Sequence, residues 1–332
     1  MAMQAWHVVR SGEPRDALQL ASDVALPEPP AGFLRVRVGA CALGLPDLFM
    51  CRGSYALTPA LPFTPGQELA GVVTAAGPGC RARPGERVMA VSGFHIRHGG
   101  FAEEGLALDD FCFRVPDRMS DAEAAAFLIP FHTGWIGLVQ RGQLRAAETL
   151  LVLGGAGGTG SAAIQLGRVL GARVIATASS PAKADFCREL GAEAVIDHRQ
   201  EDIAERVKAL TDGRGADVVY DPVGGAAFTA ASKCIAHEGR LLVVGFASGD
   251  WGRPNVPHLV TRNYSLLGVM PSGYDRAFKQ KAQDAMMEHY EAGELRVPLH
   301  REVAFESLPE GIEELARGGV LGKSVLSGPG SR

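Results

Sequence analysis

Leu150-Leu151-Val152-Leu153-Gly154-Gly155-Ala156-Gly157-Gly158-Thr159-Gly160 is the stretch that decides how this 332-residue chain is read. An apolar run ends in a glycine-rich turn, and Gly155, Gly157 and Gly160 form G-x-G-x-x-G. The residues that follow, 158–170, read as a helix. A lone match to this motif means little. One that follows a strand and opens a helix has the context in which it binds phosphate. Small residues let the backbone approach a pyrophosphate, whose negative charge meets free N–H groups at the helix start. The competing reading is a turn that is glycine-rich only for tight packing. Four glycines within 155–160 cost backbone entropy without an obvious packing return, which weighs against it.

Outward from the turn, strands and helices alternate. Strands are expected at 149–153, 173–177, 194–196, 218–221, 240–244 and 265–269, and helices at 158–170, 182–190, 203–210 and 226–235. This pattern reads as βαβ units around a parallel sheet. A near-continuous run such as Leu241-Leu242-Val243-Val244 suits a strand covered on both faces. The first 125 or so residues differ: short strands at 34–38 and 68–76 and a turn entering a strand at 84–88 suggest a sandwich or partly open barrel. Near Asp121 the style changes. A helix is expected at 122–128 with Ser120 or Asp121 as N-cap, and a second at 133–141 after Pro130. Toward the end come a long helix at 278–291, a Pro-containing strand region, a short helix and a tail after Ser327 that is expected to fray.

The second strand of the alternating region selects the nucleotide. An NAD site carries an acid at that strand's end, about 20 residues beyond the first glycine. Here Arg173-Val174-Ile175-Ala176-Thr177 is followed by Ala178-Ser179-Ser180-Pro181-Ala182-Lys183, with no acid until Asp185. Hydroxyls and an ammonium suit a 2′-phosphate, which a carboxylate would repel, so NADPH is the expected cofactor. Lys183 also reads as a solvated helix lysine, and its place after Ser179 and Ser180 shifts the balance. His198-Arg199 offers a second polar edge to the adenosine phosphate or is a plain surface pair.

Composition excludes several classes. A net charge of −4, without a basic stripe, opposes nucleic acid as a partner. No apolar run is expected to approach the roughly 18 residues of a membrane span. Residues 1–10 alternate like a strand and lack the apolar centre of a signal peptide. Six cysteines, none as Cys-x-x-Cys, oppose a disulfide scaffold and suit small buried hydrophobes in a reducing, cytoplasmic setting.

Pro65-Gly66-Gln67-Glu68-Leu69-Ala70-Gly71-Val72-Val73, followed by Gly85-Glu86-Arg87-Val88, resembles the N-terminal signature of medium-chain dehydrogenases/reductases. The glycine turn, Val218-Val219-Tyr220-Asp221-Pro222-Val223-Gly224-Gly225, Gly239-Arg240-Leu241-Leu242-Val243-Val244-Gly245 and Gly322-Lys323 continue the match over essentially the whole chain. Within that superfamily the chain is most similar to the zinc-independent NADPH:quinone oxidoreductase (zeta-crystallin-like) branch. The resemblance implies an α/β protein with a GroES-like β-rich substrate domain (1–125 and 271–332), a Rossmann doubly wound parallel-sheet cofactor domain (126–270) and a cleft between them. It implies a homodimer through a Rossmann edge strand, for which 265–269 is the candidate.

The resemblance also carries residues over by position. Gly44, Leu45 and Asp47 lie in the segment lining the nicotinamide side. Thr133, Val223, Gly245-Phe246-Ala247-Ser248, Gly268-Val269-Met270 and Lys323 join Gly155, Ala156, Gly157, Gly158, Thr159 and Gly160 on the cofactor. Tyr55 matches an aromatic of the substrate pocket, where it stacks on an acceptor, donates a proton or simply forms the wall. Gln67, His132, Phe246 and Trp251 complete the expected pocket, with simple packing as the alternative for His132, Phe246 and Trp251. The branch commonly has Asn where this chain has Gly44, so an amide hydrogen bond is lost.

Zinc alcohol dehydrogenases place Cys at the position of Gly44 and His at that of Gln67. Glycine has no ligand and a neutral amide is a poor one, so no metal is expected. Alcohol oxidation needs a Lewis acid or a base; reduction of an electron-poor C=C or quinone does not. The expected reaction is direct hydride transfer from NADPH to a quinone or an α,β-unsaturated carbonyl, a small-molecule electron-poor acceptor. The alternatives are an NADPH-binding structural or regulatory protein with little turnover and, third, a zinc alcohol dehydrogenase.

Overall fold

The computed structural model describes residues 3–328, so most of the tail expected to fray, 329–332, lies outside the described residues. In chain order the elements are β1 (Met3–Val8), α1 (Pro14–Ala17), β2 (Leu18–Val24), β3 (Phe33–Ala42), α2 (Leu45–Cys51), β4 (Glu68–Ala76), β5 (Arg87–Ser92), β6 (Glu104–Arg114) and α3 (Asp121–Trp135), which runs on into a π-helical segment, Ile136–Arg141. Next come β7 (Thr149–Val152), α4 (Gly158–Val169), β8 (Arg173–Ala178), α5 (Pro181–Glu189), β9 (Ala194–Asp197), α6 (Ile203–Leu210), β10 (Ala216–Asp221), α7 (Gly225–Ser232) and β11 (Ile235–Val243). The chain continues with α8 (Val256–Arg262), β12 (Ser265–Gly268), α9 (Arg276–Glu291), β13 (Leu299–Val303), α10 (Leu308–Ala316) and β14 (Lys323–Ser327). It divides into two compact units: residues up to Ile129 with those from Val297, and Pro130–Arg296.

In the first unit β3 alternates as its sequence dictates. Leu34, Val36 and Val38 are buried while Arg35 and Arg37 point away from the core. The sheet runs β13-β14-β3-β4-β5-β6, and β3 also pairs with β6, which closes β3 to β6 on themselves. The closed sheet surrounds a core that includes Leu34, Val36, Leu69, Val73, Val88 and Phe101. Closure pairs the edges of β3 and β6 with each other, and β13 remains an end strand.

The second unit is a parallel sheet in the order β12-β11-β10-β7-β8-β9. Numbering its strands from β7 gives 6-5-4-1-2-3, the doubly wound arrangement in which order reverses between the first and fourth strands. Leu150, Leu151 and Val152 are all fully buried, which is why β7 reads as an uninterrupted apolar run.

Four expectations are corrected. Pro130 does not separate two helices: α3 passes through it and continues to Arg141. A proline ring removes one ladder hydrogen bond, and the helix persists where Phe127, Leu128 and Phe131 on either side of it are buried; the Ile129 N–H donates to Glu68 Oε1 at 2.8 Å. The resulting stretch Asp121–Arg141 is long and apolar enough to cross a membrane by composition. Most of it is buried inside the protein, as in the core helix of a soluble fold. Residues 233–235 are not helical; α7 stops at Ser232 and β11 starts at Ile235. Finally, 271–296 belongs with the second unit. α9 buries Lys279, Ala282, Gln283, Met286 and Tyr290. Gln283 Oε1 pairs with His132 Nε2 at 2.8 Å, and Arg296 N–H donates to Gln165 Oε1 at 2.9 Å.

His132 is fully buried, and burial pushes its imidazole down to about 4, with Arg276 and Lys279 adding to the effect against Gln283. The unfolded imidazole takes a proton near pH 6.5, so as pH falls from 6.5 to 4 the unfolded chain gains a proton the native one refuses. His132 therefore lowers stability on the acid side, by about 2 kcal/mol between pH 7 and pH 5. Urea unfolding of His132→Met at both pH values is expected to show that slope removed. A variant with the parent's pH slope refutes a buried neutral imidazole.

Candidate functional site

In the second unit the glycine turn is tied to the end of β8. Gly154 N–H donates to Thr177 Oγ1 at 2.9 Å and Gly155 N–H to the Thr177 carbonyl at 3.0 Å. The glycines are there for different reasons. A Cβ on Gly155 would lie 2.9 Å from both Ala176 Cβ and Cys187 Sγ, and one on Gly160 only 2.3 Å from the Gly154 carbonyl oxygen. Packing alone demands those two. A Cβ on Gly157 would meet nothing nearer than the Gly154 oxygen at 3.6 Å, and Gly157 is exposed with an ordinary φ of −78°. The space beside Gly157 is left for something outside the chain. It adjoins the start of α4, where Gly158 and Thr159 offer backbone N–H groups with no side-chain cap and no acid in the first turn, while the Gly157 N–H closes the turn onto the Gly154 carbonyl at 3.1 Å. This donor set fits a pyrophosphate. Ala156 is buried beneath the turn.

Polar residues meet at the end of β8. Ser180 caps α5 by accepting the Lys183 N–H, and Lys183 Nζ donates to Ser179 Oγ at 3.1 Å. Burial, and then the nearby Arg199 guanidinium, push the Lys183 ammonium below its ordinary value. Hydroxyls, an ammonium and a guanidinium at the end of one strand are groups that fit a phosphate dianion. His198 is exposed and its backbone N–H binds the Ala178 carbonyl at 3.1 Å. An adjacent hollow of about 250 Å3 is bordered by Ser180, Arg188 and the acids Asp185, Asp197 and Glu201.

The loops after β10 and β11 lie on each other. Ala247 and Ser248 N–H groups donate to the carbonyls of Pro222 and Val223 at 3.0 and 2.9 Å. Asp221, which composition and motif reading left without a role, fixes the first loop: its buried Oδ1 accepts from Val223 and Gly224 N–H at 2.8 and 2.9 Å. Burial pushes this carboxyl up, and its Oδ2 has no protein partner. Gly245 N–H reaches the Asp221 carbonyl, and the Phe246 ring stacks on Trp251 with centroids 4.5 Å apart. Trp251, Gly268, Val269 and Met270 share a cavity of about 510 Å3. Arg141 and Tyr274 also line it, and no motif pointed to either. Thr133 is buried. His132, expected in the pocket, is instead the packed histidine already described.

In the first unit Gly44 caps α2, and its N–H donates to Asp47 Oδ2 at 2.9 Å. Asp47 Oδ1 accepts from Gly66 N–H at 3.0 Å. Asp47, 1% exposed, is thus a brace joining two loops, and burial pushes its carboxyl up to about 6 despite those two donors. Leu45 packs on the core. Lys323, expected on the cofactor, donates to the Leu43 carbonyl at 3.0 Å and sits 3.6 Å from Glu68 Oε2. Burial pushes Glu68 up to about 7, opposed chiefly by Lys323. Tyr55 is half-buried, and burial raises its hydroxyl, with Gln67 opposing. Gln67 Nε2 is shielded from solvent, with the Tyr55 hydroxyl as its polar neighbour. Among the described residues no group of three or more His, Cys, Asp or Glu is placed to hold a metal ion, and all six cysteines are free and buried.

Residues 30–117 match the alcohol dehydrogenase GroES-like domain, and residues 158–288 match the family described as zinc-binding dehydrogenase. The quinone oxidoreductase of Homo sapiens is 30% identical over 327 residues, covering 98% of this chain and 97% of that protein. The quinone oxidoreductase-like protein 2 homolog of Nematostella vectensis is 34% identical over 302 residues, 89% of this chain and 81% of its own. Among solved structures, the quinone oxidoreductase of Escherichia coli complexed with NADPH superposes with a TM-score of 0.90 at 25% identity, covering 98% of this chain and 99% of that one.

The two kinds of glycine separate experimentally. Gly157→Ala is expected to leave the urea midpoint near the parent value and to weaken dinucleotide binding at least about tenfold, because only a ligand needs that space. Gly160→Ala meets a backbone oxygen and is expected to cost roughly 1–3 kcal/mol of stability. Calorimetric binding with parallel unfolding reads both; full affinity in Gly157→Ala refutes the assignment.

Proposed function

Because the chain belongs to the medium-chain dehydrogenase/reductase superfamily, in its zeta-crystallin-like quinone oxidoreductase branch, we propose that it is an NADPH-dependent reductase of quinones or α,β-unsaturated carbonyls that works without zinc. The observation that carries the cofactor assignment is the Ser179–Lys183–Arg199 group at the end of β8, where an NAD-preferring site has an acid. The E. coli relative's NADPH complex agrees with it. NADPH, when bound, supplies a hydride, so the acceptor gains two electrons and its oxygen needs one proton from solvent or a hydroxyl. The chain's part is placement and polarity. The turn at 154–160 and the cations at β8 hold the dinucleotide. Gln67 and Tyr55 are the groups we assign to the acceptor oxygen. The Gln67 amide N–H neighbours the Tyr55 hydroxyl, so the two polar groups stand together, and burial keeps the Tyr55 hydroxyl protonated at neutral pH. Metal independence is supported by Gly44 and Gln67, which stand where the zinc enzymes carry ligands, and by Glu68 and Asp47 being engaged with Lys323, Ile129, Gly44 and Gly66. The free, buried cysteines suit a reducing, cytoplasmic setting.

We also propose a homodimer built on β12. It is an end strand of its sheet, and the neighbouring α8 exposes Val256 and Val260 by 61% and 65%.

NADPH oxidation measured with 9,10-phenanthrenequinone, a 2-alkenal and an enoyl-CoA tests the reaction. Turnover is expected with at least one, with NADPH preferred over NADH and no stoichiometric zinc by elemental analysis. Lys183→Gln is expected to lower kcat/KM for NADPH by on the order of tenfold or more, as the loss of a charge-assisted hydrogen bond implies. NADPH binding without turnover on any acceptor favours a non-catalytic role, and one firmly held zinc per chain favours an alcohol dehydrogenase; either overturns the proposal. For the assembly, light scattering is expected to give a dimer that Val260→Glu weakens. A parent chain that is monomeric at micromolar concentration refutes it.

A further inference from the structure

Gln67, one of the two groups assigned to the acceptor oxygen, sits in backbone that is held on both sides. Gly66 before it has a φ of +92°, and a Cβ there would lie 2.7 Å from the Phe101 nitrogen and 2.8 Å from Cys41 Sγ. The chain therefore enters β4 through a turn that only glycine fits. The Gly66 N–H donates to Asp47 Oδ1 at 3.0 Å. The Gly66 carbonyl accepts the Gly100 N–H at 2.8 Å and the Ser92 hydroxyl at 2.6 Å, and the Gln67 carbonyl accepts the Ser92 N–H at 2.8 Å. Glu68, next in the chain, takes the Ile129 N–H on one oxygen and faces Lys323 Nζ at 3.6 Å with the other.

Ser92 stands out among these partners. It closes β5, is fully buried, and puts its hydroxyl and its N–H on the two successive peptide groups that flank the Gln67 α-carbon. Peptide groups are planar, so fixing two in succession fixes the dihedrals between them and with them the direction of the side chain. The Gly66 oxygen keeps the Gly100 N–H without the hydroxyl, so the Ser92 bond is not needed to satisfy a buried acceptor. Its effect is to narrow the range of orientations open to Gln67. The same hydroxyl oxygen accepts the Phe94 N–H at 3.3 Å, which holds Ser92 itself in place.

We propose that Ser92 is a positioning residue for the acceptor step: with Asp47 and the Glu68–Lys323 pair around it, it fixes the backbone at Gln67 so that the side-chain amide stays beside the Tyr55 hydroxyl and meets the acceptor oxygen in one geometry. The proposal rests on the reductase reading and deepens it. Ser92 acts on the acceptor through Gln67. The dinucleotide phosphates are left alone, because the groups assigned to them, at 154–160 and 179–199, belong to the second unit.

A double-mutant cycle on the full chain tests it, with the fastest acceptor among the quinone, the alkenal and the enoyl-CoA. Ser92→Ala is expected to lower kcat about three- to tenfold, as loosened orientation of a reacting group implies, with calorimetric NADPH affinity within about twofold of the parent. In a Gln67→Ala background the same substitution is expected to change kcat little, because the group it orients is gone. Ser92→Cys, close in size and a weaker donor, is expected to fall between parent and Ser92→Ala, and it serves alone if Ser92→Ala does not fold. A merely structural Ser92 would cost the same in both backgrounds. An equal loss with and without Gln67, parent kcat in Ser92→Ala, or NADPH affinity falling in step with kcat overturns the proposal. Hydrogen exchange over residues 64–70 needs no turnover: Ser92→Ala is expected to exchange faster there, and exchange equal to the parent's also overturns it. The failures are distinguishable, since a parent that reduces no acceptor sinks the reductase reading while exchange still decides whether Ser92 fixes this backbone.

Discussion

A single close approach governs the second unit: the Gly160 position against the Gly154 carbonyl, in a turn with no room for a side chain. Because that turn collapses so tightly, α4 can begin directly above the end of β7, and its first N–H groups are left without a side-chain cap. The sheet order then does the rest. β7 lies between β8 and β10, so the turn after it is flanked by Thr177 on one side and by the Asp221 loop on the other. Ligands of doubly wound sheets gather where the order reverses, and here the polar groups gather there too.

Electrostatics divide along the same line as the folding units. The second unit places Lys183 near Arg199, whose guanidinium, after burial, pushes the ammonium below its ordinary value. The first unit buries acids. Asp47 and Glu68 are both held above their ordinary pKa by burial, and each is supported by backbone N–H groups, with Lys323 beside Glu68. Breaking such a group by removing one partner leaves an uncompensated polar atom in a dry interior, so these residues act first as braces for the loops at 43–47 and 66–68.

Much of this was legible in the sequence. β4 spans 68–76 and α6 spans 203–210, just where the residue pattern placed them, because each has clear end signals and strong local periodicity. The glycine turn and the Ser179–Ser180–Lys183 group were also legible, since their chemistry is local. What failed was long-range. The reach of α3 through Pro130 goes with the burial of Phe127, Leu128 and Phe131 in the tertiary fold, and the allegiance of 271–296 goes with contacts such as Gln283 meeting His132, 151 residues away. Lys323 has the charge expected of a phosphate ligand, and only the fold shows that the Leu43 carbonyl and Glu68 occupy it. Arg141 carried no signal at all. It sits in an ordinary helical run, and its tether, Gly268, lies 127 residues on.

A reductase without a metal has few ways to lower its barrier. It cannot polarise a weak acceptor, so in the proposed reaction the acceptor brings its own electron deficiency and the protein contributes orientation. Orientation has an entropic cost that grows with every loose side chain at the site. The stacked pairs Phe246–Trp251 and Tyr274–Phe278 are ordered before any ligand arrives, so that cost falls on folding and not on binding.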